Sequence, residues 1–141
     1  MVLILTEFQV EACGVPDMKP RDVGLRLKRF EVAERERKVA TIEMMVTDFK
    51  HMASDLMLQI TAEEDRTGIR DCGHFAYSTF AKSARLRRNN LLNSVGDLEI
   101  KLGAARREHE TVAAELRQLE QSAIRDSDSI LSKIARASMV G

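Results

Sequence analysis

From Arg21 onward, apolar side chains recur at alternating steps of three and four. Val39, Ile42, Val46, Phe49, Ala53, Leu56 and Ile60 form one such series, the heptad spacing that lays a stripe of side chains along one side of an α-helix. Followed backwards, the register reaches Val32 and Leu25 but also Arg35 and Lys28, so this seam turns polar at its N-terminal end. Asp22 is placed to cap the helix, and a helix over residues 22–65 would be about 65 Å long. Within it, Glu31 stands one turn before Arg35 and Glu34 one turn before Lys38, a spacing at which opposite charges support a helix.

A second series is longer and more regular: Leu91, Val95, Leu98, Leu102, Ala105, His109, Val112, Leu116, Leu119 and Ala123. Gly96 and Gly103 fall off this stripe, where each weakens the helix without interrupting the buried face. Between the two series lies a polar run, Arg66 to His74, containing Gly68 and Gly73. Gly68 suits the position just past a helix C-terminus, and Asp71 or Ser78 could cap the helix that follows. Folding the chain here buries both stripes against each other. The predicted fold is therefore all-α, two long helices forming an antiparallel coiled-coil hairpin over residues 21–126 with its turn near 66–74. Parallel pairing of two copies is the competing way to bury the stripes.

The ends differ from the middle. Residues 1–20 hold a candidate short strand at Val2–Thr6, closed by Gly14, Pro16 and Pro20, and read as a loosely ordered N-terminal arm. Met18 leaves open an alternative start of the chain. Residues 127–141 read as a short C-terminal tail in which Ile130, Leu131, Ile134 and Ala137 make a brief apolar set. It either continues the second helix or docks separately on a partner.

Composition supports the helical reading. Pro16 and Pro20 are the only prolines, Trp is absent, and aromatic residues make up 4% of the chain, too little for the core of a compact enzyme. The formal net charge is zero, so no whole-surface attraction to nucleic acid or an anionic membrane is expected. Locally, Arg21, Arg26, Lys28, Arg29, Arg35, Arg37 and Lys38 resemble the basic region of a zipper protein, but Asp22, Glu31, Glu34 and Glu36 interrupt them and would repel phosphates. A coiled-coil DNA-binding regulator using residues 21–38 is thus an alternative function. Cys13 and Cys72 are too few for a disulfide framework, and the opening MVLIL is too short for a signal or a membrane span.

No motif for metal, nucleotide or nucleophilic catalysis occurs, so neither catalysis nor a cofactor is expected. A small all-helical enzyme with a site between protomers is the remaining alternative. His109 reads as a polar break in the seam, and the pair Glu63–Glu64 as solvated surface. The densest aromatic group is Phe75, Tyr77 and Phe80, followed by Lys82, Arg85, Arg87 and Arg88. Aromatics beside arginines suit a protein-binding hot spot; packing across the turn to close the hairpin is the equal alternative.

The stretches LRLKRF (25–30), IEMM (42–45) and GHFAY (73–77) resemble the FliJ family of flagellar type III export proteins, in particular its alphaproteobacterial branch, over roughly residues 18–120. The resemblance implies an antiparallel coiled-coil hairpin that is not itself an enzyme. It implies a soluble stalk at the inner face of the cell membrane, partnered by the flagellar export ATPase and the cytoplasmic domain of the export gate, with export chaperones as a further class. Membrane association would come only through those partners, and no nucleic acid is implied. By position, Leu25, Leu27 and Phe30, near Leu116 and Leu119, would engage the ATPase ring. Phe75, Tyr77, Phe80, Arg85, Arg87 and Arg88 would lie at the opposite tip or its flank. Residues 1–17 and the tail from Ser127 depart from the family pattern.

Overall fold

The computed structural model describes residues 19–141, so the arm up to Met18, with its candidate strand and Cys13, lies outside the described residues. Helix α1 spans Pro20–Thr67 and helix α2 spans Thr79–Ser138, and no strand occurs among the described residues. The two helices lie side by side and antiparallel. Ion pairs fix the direction: moving along α1, Arg21, Arg29, Glu43, Lys50 and Glu64 meet Asp126, Glu120, Arg106, Glu99 and Arg85 on α2.

Local chemistry sets the helix ends. α1 begins at Pro20, whose fixed φ and missing N–H are tolerated in the first turn. Asp22, predicted as the cap, lies in that turn instead, where its carboxylate faces the positive end of the helix dipole. At the other end Gly68 adopts φ +71° and its N–H reaches the Glu64 carbonyl at 2.9 Å. A side chain at this left-handed position would crowd the backbone. α2 opens at Ser78, whose Oγ accepts the Ala81 N–H at 3.4 Å. Asp71, the other predicted cap, accepts the Gly73 N–H at 2.9 Å within the turn. The turn therefore occupies residues 68–78 rather than 66–74.

Both predicted stripes face the interface, but unevenly. The buried apolar positions are Val46, Ala53, Leu56 and Ile60 on α1, and Ala81, Ala84, Val95, Leu98, Leu102, Ala105 and Val112 on α2. Val46, Val95 and Leu98 pack with Ile42 and Phe49, while Leu56, Ile60 and Ala84 pack with Leu91. Ile60 is only 1% exposed and packs with Ala84 near the turn, where Ala81 is also buried. Toward the open end of the hairpin the seam is half-buried, with Lys28, Arg35 and His109 on it, and Leu119 is exposed. The seam weakens where the sequence turns polar.

The tail is not a separate unit. Arg21 pairs with Asp126 at 2.6 Å, and α2 continues without a break through residues 127–138 past the start of α1. Serine side chains there return to their own helix, as Ser127 Oγ does to the Ala123 carbonyl at 2.9 Å, so the Ser/Asp-rich composition does not end it.

Two stability predictions follow from this geometry. A Cβ at Gly96 would meet no atom within 4 Å, so Gly96→Ala raises stability in urea denaturation by about 0.5–1 kcal/mol. Ile60→Ala lowers it by about 2–4 kcal/mol through lost burial and a cavity between the helices.

Candidate functional site

The hairpin has three surfaces that could act: the tip, the two long edges and the open end. At the tip, Tyr77 is buried and lies against α1. Its hydroxyl donates to Glu64 Oε1 at 2.7 Å and accepts from Arg85 Nε at 2.7 Å, while Arg85 Nη2 donates to the same carboxylate oxygen at 2.5 Å. The guanidinium also lies 5.8 Å from the centre of the Tyr77 ring, within cation–π range. One residue earlier on α1, in the same clasp, Glu63 accepts from Ser78 Oγ at 2.6 Å and takes a two-pronged bond from Arg66 at 2.9 and 2.7 Å. The last turn of α1 is thereby tied to the first turns of α2.

Tyr77 and Arg85 thus close the hairpin. The pair Glu63–Glu64, read from sequence as solvated surface, is the acidic half of that clasp, and Glu64 is only 8% exposed. The available signal was its position, four residues after Ile60 and so on the continuation of the buried stripe. Arg85 and then Tyr77 hold the Glu64 carboxyl below its ordinary value by hydrogen bonding. Arg66, followed by Ser78, lowers Glu63 from 4.5 to about 2. Burial, with the neighbouring Glu64 second, raises the Tyr77 phenol.

The other members of that sequence group separate from the clasp. Phe75 is 96% exposed and stacks on His74 with ring centres 4.7 Å apart. Phe80 is also exposed. Arg87 lines a shallow groove with Met52, Leu56 and Leu91, and Arg88 is half-buried at the seam.

The long edges are unlike each other. On one, Arg29, Glu43, Lys50 and Glu64 recur at whole-heptad intervals and face Glu120, Arg106, Glu99 and Arg85. Each exposed pair adds little stability, since water competes for it, but the set fixes register. Sliding α2 by one heptad would oppose Glu43 to Glu99 in one direction and Lys50 to Arg106 in the other. On the second edge, Lys28 reaches Glu115 at 2.7 Å and both Arg35 and Lys38 reach Glu108, at 2.9 and 3.0 Å. Hydrogen bonds donated to Glu115 and then Glu31 raise the Lys28 ammonium, and Lys38 lowers Glu108. The local pairs expected from sequence are re-partnered: Glu31 binds Lys28 at 2.8 Å and Glu34 binds Arg37. Nearer the tip this edge carries no such ladder, and Met45 and Met52 are exposed there. The rod is therefore not uniformly charged along its length.

These pairs bear on the basic segment 21–38. Arg21, Lys28, Arg29, Arg35 and Lys38 all reach acids of α2, at Asp126, Glu115, Glu120 and Glu108. The segment is balanced within the hairpin, which removes the excess charge that attraction to DNA phosphates needs.

At the open end Leu25 is half-buried in the seam, whereas Leu27 and Phe30 are 65% and 63% exposed. Val23, also exposed, extends them to a stripe at helical spacing on the outer face of α1. Beside it the overhanging end of α2 exposes Ile124, Ile130, Leu131 and Ile134. Among the described residues no group of His, Cys, Asp and Glu is arranged to hold a metal ion, and no helix is long and apolar enough to cross a membrane.

The clasp makes stability depend on acid. The folded-state value of Glu63 lies below its ordinary 4.5, so its contribution is complete above 4.5 and is lost as pH falls towards about 2. In thermal melts followed by circular dichroism, the gap between the wild type and Glu63→Gln is therefore widest above that window and closes through it. A gap that widens on acidification would contradict the clasp.

Comparisons with protein-family models, with curated proteins and with solved structures return no match to the chain, so the roles of its surfaces are read from their residues.

Proposed function

We propose that the chain is a non-enzymatic coiled-coil stalk of the flagellar type III protein export apparatus, binding the export ATPase through its open end and the export gate towards its tip. The observation that carries this reading is the open end, where Val23, Leu27 and Phe30 on α1 and Ile130, Leu131 and Ile134 on α2 are left exposed. Apolar stripes on two helices, at the end of a rod about 90 Å long, suit an axial element gripped by a ring of surrounding subunits. Such stripes need a partner to remove them from water. The phrases LRLKRF, IEMM and GHFAY, on which the resemblance to the FliJ family rests, support the same reading. LRLKRF contains the exposed pair Leu27 and Phe30. On this reading the chain works at the inner face of the cell membrane, held there by its partners.

The reading is tested by isothermal titration of the purified chain against the purified export ATPase. Wild type is expected to bind, and Leu27→Asp with Phe30→Asp is expected to lose binding at least ten-fold, as hot-spot residues do, while retaining its helical circular dichroism. Absence of wild-type binding to both the ATPase and the gate's cytoplasmic domain would overturn the reading.

A further inference from the structure

A single exposed apolar side chain is ordinary on a protein surface, but Phe75 stands on a turn whose neighbouring residues are hydrogen-bonded on both sides of it. The turn beneath it is bonded throughout: His74 N–H to the Asp71 carbonyl at 3.1 Å, Tyr77 N–H to the His74 carbonyl at 3.0 Å, and Ala76 N–H to His74 Nδ1 at 3.1 Å. The last of these fixes the imidazole, and the Phe75 ring stacks on it at an interplanar angle of 26°. Two residues further on, Tyr77 is locked into the clasp by Glu64 and Arg85. A ring that is 96% exposed on a turn fixed at both sides has lost conformational freedom before any partner arrives, which lowers the entropy cost of burying it.

Charge around the tip indicates what would receive it. Glu63, Glu64 and Asp65 are matched by Arg66, Arg85 and Arg70. Lys82, Arg87 and Arg88 take part in none of these pairs, and the first turn of α2 contains no acid. Against them stand Asp71, whose carboxylate accepts the Gly73 N–H, and Asp55, which lines the same groove as Arg87. Behind Phe75, the first turns of α2 therefore carry an excess of positive charge.

We propose that Phe75 is a preorganised anchor that inserts into an apolar pocket rimmed by carboxylates on another protein, with Lys82 and Arg87 meeting the rim. The inference rests on the stalk reading only for its probe, the cytoplasmic domain of the export gate. Titration of the full chain with that domain is the test. Phe75→Ala is expected to weaken binding at least ten-fold, with an unchanged melting temperature because the ring is almost fully exposed in the free chain. Phe75→Leu should recover part of the loss. Lys82→Glu with Arg87→Glu should weaken binding too, by a factor that shrinks as salt is raised. Gate binding that is insensitive to Phe75→Ala would overturn the anchor and leave the stalk reading standing. Binding to the ATPase without binding to the gate domain would also overturn the anchor. Binding to neither would overturn both.

Discussion

Neither helix can keep its apolar stripe out of water by itself, and the mutual burial of the two stripes in one register is what the other features of the chain depend on. The register is set in two ways. The clasp of Glu63, Glu64, Tyr77, Ser78 and Arg85 ties the helices where the chain reverses. Along one edge, the ladder from Lys50–Glu99 through Arg106–Glu43 to Arg29–Glu120 penalises a slip by setting like charges opposite each other. Near the turn Ile60 is buried with Leu56 and the small residue Ala84. Farther away the seam admits Lys28, Arg35 and His109, so the hairpin is held most firmly at its closed end.

This gradient connects architecture with the proposed use. The closed end needs no partner to hold its helices together, so its exposed groups are free to serve recognition. At the open end the seam is polar, the ion pairs are solvated, and α2 runs on beyond α1 with its isoleucines and Leu131 uncovered. A ring closing around that end would bury apolar surface that the hairpin itself cannot cover. The zero net charge takes on meaning here, since the basic start of α1 is answered by acids of α2.

Much of the fold was legible in the sequence because heptad spacing is a direct record of which side of a helix is buried. Both seams appear where the spacing placed them except at Leu119, which is exposed, and Gly68 ends α1 as a left-handed glycine should. The misses have physical causes. The sequence left the start of α2 open between Asp71 and Ser78; Ser78 caps it, and Tyr77 lies under the tip bonded to Glu64, so the turn runs later than 66–74. Spacing within one helix pointed to Glu31–Arg35 and Glu34–Lys38, but an acid on the facing helix, Glu108, offered both Arg35 and Lys38 a partner. The tail was open to either continuing the second helix or docking separately, and α2 continues through it to Ser138. Of the candidate site, the aromatic cluster was visible as a cluster; that Tyr77 closes the hairpin while Phe75 faces outward depends on the partner in α1, which local sequence does not reveal.

The central claim, that the rod engages the export ATPase by its open end, is tested most directly by site-specific photocrosslinking in a reconstituted complex. A photoreactive residue is placed in turn at Leu27, Met52 and Phe75, each exposed on the free chain. The account predicts crosslinks to the ATPase from position 27 and none from positions 52 and 75. Crosslinks confined to positions 52 or 75, or equal from all three, would contradict it.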